Sequence, residues 1–272
     1  MTKKSKTNGN QDALVMSYQD SADRVPVLWI HGFPLSSLMW ELQVMDLADI
    51  ARQITPDLRG HGHTEATTPP YSMEVFADDC VRLLDDLGLN DPVVIGGLSM
   101  GGYVAFEICR RHPQRVSGLI LAATRAGADS DEGKVGRDAA AALAMKSGID
   151  PVVEGMLPKL LGPDNYEAQP QLVEFVQDMM METSVDGLVG ALAAMRDRPD
   201  STTDLPGFDI PTLVIHGADD QMIPVAEAEA MAAALPEAEL VVIPGAGHLP
   251  NLEQPGAFCD AVRGFLEGFY EG

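Results

Sequence analysis

Val93-Val94-Ile95-Gly96-Gly97-Leu98-Ser99-Met100-Gly101-Gly102 joins a short apolar run to a glycine-flanked serine, and a helical pattern follows over Tyr103–Arg111. A run this apolar reads as a strand buried on both faces, spanning Pro92–Gly97. Glycines two residues either side of a serine fit a turn too tight for side chains, so Gly97 and Gly101 let Ser99 project at the head of the helix. There, free N–H groups and the positive end of the helix dipole favour a developing oxyanion. A dinucleotide-binding turn would need G-x-G-x-x-G, and the spacing here fails that test. The bland alternative, a glycine turn with an incidental serine, does not explain the strand–turn–helix setting.

Outward from this turn, apolar runs alternate with amphipathic stretches. Strands are predicted at Val25–Ile30, Arg52–Thr55, Val116–Ala122, Pro211–His216 and Glu239–Ile243, and helices at Tyr71–Leu87, Val225–Leu235 and Ala257–Phe269. Strands with no wet face alternating with helices imply an α/β fold: a mostly parallel sheet with helices on both faces. Between Arg125 and Asp204 strand-like runs vanish, and Ala, Met, Leu, Glu and Asp dominate, interrupted by Pro151, Pro158, Pro163, Pro170 and Pro199. The expected organisation is a flexible polar tail over 1–12, a core over 13–124 and 205–272, and a helical cap inserted at 125–204.

Composition bounds the function. The chain has 272 residues, 46% of them hydrophobic, which suits one large domain with an insertion. Its net charge is −23, so nucleic acid and anionic membrane surfaces are poor partners, and a small molecule is the expected one. No signal-peptide pattern or membrane-length apolar stretch is visible. Cys80, Cys109 and Cys259 include no close pair, as expected in a reducing compartment. A cytoplasmic protein is the expectation.

A serine nucleophile needs a base, and the base an orienting carboxylate. His248 lies in Pro244-Gly245-Ala246-Gly247-His248, after a predicted strand; the loop Gly217-Ala218-Asp219-Asp220-Gln221-Met222-Ile223-Pro224, after the preceding one, offers two aspartates. Loops at strand C-terminal ends face the ligand crevice of α/β sheets.

These segments, with H-G-F-P at His31–Pro34 and D-L-R-G-H-G at Asp57–Gly62, make the sequence similar to the α/β-hydrolase superfamily. The resemblance is closest to its esterase, haloperoxidase-like and enol-lactonase-like members. It implies the α/β-hydrolase fold and a cofactor-free serine hydrolase acting on carboxylic esters or lactones. In it, the acid of G-x-x-D-x-x-x-P is Asp220 rather than Asp219, and the oxyanion donors are the backbone N–H groups of Phe33 and Met100. His31 would shape the oxyanion loop. The same residues would serve a 3-oxoadipate enol-lactonase-like enzyme, a perhydrolase or a carbon–carbon bond hydrolase, and a ligand receptor on this fold is the non-enzymatic alternative.

No metal is expected, because His61-x-His63 has no further ligand cluster beside it. Trp40 is read as the start of a helix, packed in the core. Candidate pocket residues are Trp40, Arg125, Met145, Met156 and Met180, the methionines for an adaptable acyl pocket. Arg125, Arg137, Arg196 and Arg198 each have acidic neighbours in sequence, including Asp129, Asp138, Asp197 and Asp200. Ordinary pairing with these leads to the expectation of neutral esters and lactones, acyl-homoserine lactones among them, over carboxylated enol-lactones.

Overall fold

The computed structural model describes residues 2–5, 14–21 and 24–269. Among these, strands β1 (Lys3–Lys4), β2 (Ser17–Asp20), β3 (Val25–Ile30), β4 (Ala51–Pro56), β5 (Val93–Leu98), β6 (Val116–Ala122), β7 (Thr212–Gly217) and β8 (Ala238–Ile243) form one sheet. Its order is β1-β2-β4-β3-β5-β6-β7-β8. The strands from β3 onward pair in parallel, and β1 and β2 extend one edge antiparallel. Every residue of β5 and β7 is buried, as parallel strands covered on both faces require.

Helices α1 (Glu41–Asp46), α2 (Met73–Asp86) and α3 (Met100–Arg111) link the early strands. Five more lie between β6 and β7: α4 (Asp131–Ser147), α5 (Asp150–Leu160), α6 (Pro163–Ala168), α7 (Pro170–Met181) and α8 (Val185–Arg196). Then come α9 (Val225–Ala234), α10 (Pro250–Glu253) and α11 (Pro255–Glu267). The chain steps one way from β3 to β4 and the other way from β5 to β6. Right-handed crossovers therefore place α1 and α3 on opposite faces of the sheet. On the α1 face, Trp29, Trp40 and Phe258 of α11 form one aromatic cluster, the two indoles 4.7 Å apart.

The reversal of strand order falls between β3 and β5, which pair in register with Ile30 opposite Gly97. The loops leaving these two strands, His31–Pro34 and Ser99, are thereby neighbours at a topological switch point, where α/β sheets open a crevice.

One expectation needs correcting. Within the stretch 1–12 read as a flexible tail, Lys3–Lys4 instead form β1. The open edge of β2 supplies backbone partners, and Asp20 offers the Lys3 ammonium a carboxylate at 3.2 Å. Residues 6–13 lie outside the described ones. Trp40, read as a helix start, ends a 3₁₀ turn over Ser37–Trp40 that leads into α1.

Candidate active site

Ser99 takes φ +53° and ψ −111°, a backbone conformation that a non-glycine residue adopts only when its surroundings impose it. Those surroundings are explicit. Its N–H donates to the Ala122 carbonyl at 2.9 Å, and its own carbonyl accepts the buried Thr124 hydroxyl at 2.8 Å. A side chain at Gly97 would meet the Gly101 backbone at 2.3 Å, and one at Gly101 the Ile30 carbonyl oxygen at 2.1 Å. Both glycines are thus demanded by close approach of backbones, and the turn holds Ser99 partly exposed while Leu98 and Met100 are buried. Met100 opens α3, so its N–H has no carbonyl one turn back to bond.

The facing loop is pinned from below. His31 is fully buried, its Nδ1–H donating to the Gly32 carbonyl at 2.8 Å and its Nε2 accepting the Leu58 N–H at 3.0 Å. Burial pushes the His31 pKa down to about 4, so the ring is neutral, as those two bonds require. Asp57 accepts the Ser37 N–H at 2.8 Å and the His63 N–H at 3.0 Å, tying the two sequence motifs together. Among the described residues the Phe33 N–H has no hydrogen-bond partner.

The loops after β7 and β8 bring Asp220 and His248 together. The His248 Nδ1–H donates to Asp220 Oδ2 at 2.8 Å, both side chains being buried. That bond leaves Nε2 as the nitrogen able to accept a proton. Asp220 Oδ1 accepts the N–H groups of Met222 at 2.8 Å and Ile223 at 3.0 Å. Buried His216 adds its Nε2–H, shared between the Ile223 carbonyl at 2.8 Å and Asp220 Oδ2 at 3.2 Å. Burial alone would raise the Asp220 carboxyl. The charge of His248 and these hydrogen bonds outweigh it and hold the group well below the ordinary carboxylate range. Asp219 is exposed and faces another cavity, beside Gly162.

The His248 loop is itself held by Glu253, which the sequence reading missed. One oxygen accepts the N–H groups of Gly247 and Leu249 at 2.8 and 3.1 Å, and the other accepts that of Gly162 at 2.7 Å. Further bonds stitch the α4–α8 segment to the site loops: His248 N–H to the Leu160 carbonyl at 3.1 Å, and the Thr183 hydroxyl to the Pro34 carbonyl at 2.9 Å.

A cavity of about 590 Å³ is lined by residues of α4, α5 and α8 together with Phe33, Arg125 and Met222, and Met156 is among its walls. Three other candidate pocket residues lie elsewhere. Trp40 is fully buried against Trp29 and Phe258, because its indole completes the aromatic cluster. Met145 is 66% exposed on the outer side of α4, and Met180 is fully buried within the helical packing. Neither faces the cavity. His61 and His63 have separate partners: the buried His61 ring lies tilted against His31, with centroids 5.0 Å apart, and the exposed His63 is 3.7 Å from Asp57.

Residues 27–261 match the alpha/beta hydrolase family. The chain is similar in structure to a thermophilic esterase from Thermogutta terrifontis, with TM-score 0.94, 40% identity and 98% of each chain covered. It is 33% identical to the non-heme chloroperoxidase CPO-A1 of Kitasatospora aureofaciens, over 88% of this chain and 90% of that protein. It is 28% identical to 3-oxoadipate enol-lactonase 2 of Acinetobacter baylyi, over 91% of each. With a family match across most of its length and the sheet order and elbow turn described above, the chain belongs to the alpha/beta hydrolase family.

Proposed function

We propose that this hydrolase cleaves carboxylic esters or lactones through Ser99, His248 and Asp220. The observation that carries the reading is the buried 2.8 Å bond from His248 Nδ1–H to an ionised Asp220, on the loops that follow β7 and β8. In this mechanism Ser99 Oγ attacks the carbonyl carbon while its proton passes to His248 Nε2. The Phe33 and Met100 N–H groups, without partners among the described residues, hold the tetrahedral oxyanion. Collapse breaks the carbon–oxygen bond to the leaving alkoxide, which takes the proton from His248 Nε2. Water then attacks the acyl-enzyme, giving its proton to the same nitrogen, and the acid is released as Ser99 is reprotonated. Asp220 keeps the imidazole in the required tautomer and balances its charge while it carries the extra proton. Esterase and enol-lactonase relatives across nearly the full length support this substrate range.

The test is covalent labelling by a fluorophosphonate. Intact-mass analysis is expected to show one adduct on the wild-type protein and none on Ser99→Ala. Equal labelling of both proteins would exclude Ser99 as the nucleophile.

A further inference from the structure

The cavity lined by α4, α5 and α8 is unusual in its charge. In a chain of net −23, three cations line it, Arg125, Arg137 on α4 and Lys159 on α5, against one lining carboxylate, Asp129. The expectation of neutral substrates rested on each arginine having its own acidic neighbour in sequence. The fold distributes the charges differently. Arg125, Arg137 and Arg198 all converge on one buried carboxylate, Asp129, at 2.8, 3.0 and 2.8 Å.

Arg198 is buried with Asp129, stacked over the Tyr103 ring at 4.1 Å and bonded to the Met195 and Gly127 carbonyls, so this pair neutralises itself inside the wall. That leaves Arg125 and Arg137, both partly exposed, without a full counter-charge. Glu227 is one further carboxylate within electrostatic reach of Arg125. Lys159, exposed on the facing helix, has no ion-pair partner among the described residues. A second cavity of similar size, by Phe208, differs: its Arg110 is fully engaged by Glu107 and Asp204. Leu143, Val152 and Met156 supply apolar wall in the same cavity, which Phe33 and Met222 also line.

We propose that this cavity is an anion subsite of the hydrolase, selecting esters or lactones that carry a free carboxylate joined to the scissile group by a short apolar chain. Arg137 and Lys159 are the residues that meet the carboxylate, with Arg125 lining the same cavity. The inference rests on the hydrolase reading above and names its substrate class. The negative field of the whole chain does not oppose it at physiological salt, because charges beyond about 8 Å are screened while groups lining the same cavity are not.

The experiment compares kcat/KM at ~0.15 M salt for p-nitrophenyl hexanoate, mono-p-nitrophenyl adipate and 4-(hexanoyloxy)-3-nitrobenzoate. The second carries its carboxylate on the acyl side, the third on the leaving side. One of the charged esters is expected to be preferred over the hexanoate by about tenfold or more, the scale of one charge-assisted hydrogen bond. Lys159→Glu and Arg137→Gln should each reduce that ratio, and the double variant should abolish it. Lys159→Glu breaks no ion pair, so it tests the subsite even if Arg137→Gln fails to fold. Preference for the neutral ester, or a ratio untouched by Lys159→Glu, overturns the subsite and leaves the hydrolase reading intact. If no ester is turned over, the hydrolase reading fails, and calorimetric binding of adipamate against neutral hexanamide decides the subsite separately. Tighter adipamate binding that weakens in Lys159→Glu supports it, and equal binding overturns it.

Discussion

A carboxylate as buried as that of Asp220 would be protonated, were its environment apolar, and a protonated acid cannot steady an imidazolium. Four donors prevent this: the His248 Nδ1–H, the shared His216 Nε2–H, and the Met222 and Ile223 N–H groups. Hydrogen bonds to a charged group contribute roughly 1.5–3 kcal/mol each, enough together to offset a desolvation cost of several kcal/mol. Asp219, exposed and bonded to none of them, has no such role. Asp220→Asn is therefore expected to lower kcat/KM on a p-nitrophenyl ester by about 10²–10⁴-fold, since an amide there can select the wrong imidazole tautomer. Asp219→Asn should stay within about threefold of wild type, as surface substitutions do. An inactive Asp219→Asn beside an active Asp220→Asn would reassign the acid.

Among elements, the short α10 matters more than its length suggests, because Glu253 ends it and gathers the loops around His248. Replacing one of its oxygens by an amide nitrogen would set a donor against the N–H groups of Gly247 and Leu249 or that of Gly162. Glu253→Gln is thus expected to cost about 2–4 kcal/mol of unfolding free energy and to lower kcat through a displaced His248. Urea midpoints and ester kinetics check both, and a variant unchanged in both would show that the loop is held by other means. This residue also marks where the sequence stops being legible. Strands such as Val93–Leu98 could be read because continuous burial leaves an unbroken apolar run, and the turn at Ser99 because close backbone approach leaves only glycine. Glu253 sits in an ordinary polar helix, and one of its partners, Gly162, is 91 residues away. The polar edge strand β2 has no apolar run to announce it. Met145 and Met180 were misplaced for a related reason: which way a helical face points depends on packing that local pattern does not record.

The whole molecule couples the site's scaffold to pH through two buried imidazoles beneath the oxyanion loop. Burial, with the neighbouring ring adding to it, takes the His61 pKa down to about 3, and burial takes that of His31 to about 4. In the unfolded chain both titrate near about 6.5. A depressed folded value means that the unfolded state binds more protons through the interval between the two values, so stability rises with pH there and falls on acidification. From pH 7 to pH 5 each ring should cost about 2 kcal/mol, at roughly 1.4 kcal/mol per pH unit below the unfolded value. Asp220 contributes little over this range, since its carboxyl is held below the ordinary value and its share of stability is lost only at lower pH. The measurement is urea unfolding at pH 7 and pH 5 in constant salt, urea being preferred because guanidinium would screen the −23 charge and shift the baseline. His61→Asn keeps a donor for the Arg59 carbonyl, which the ring nitrogen reaches at 3.0 Å, while removing one titration. The pH-dependent loss should shrink in that variant by about 2 kcal/mol, roughly half the effect. Identical slopes in wild type and variant would mean that His61 takes up its proton without leaving the fold.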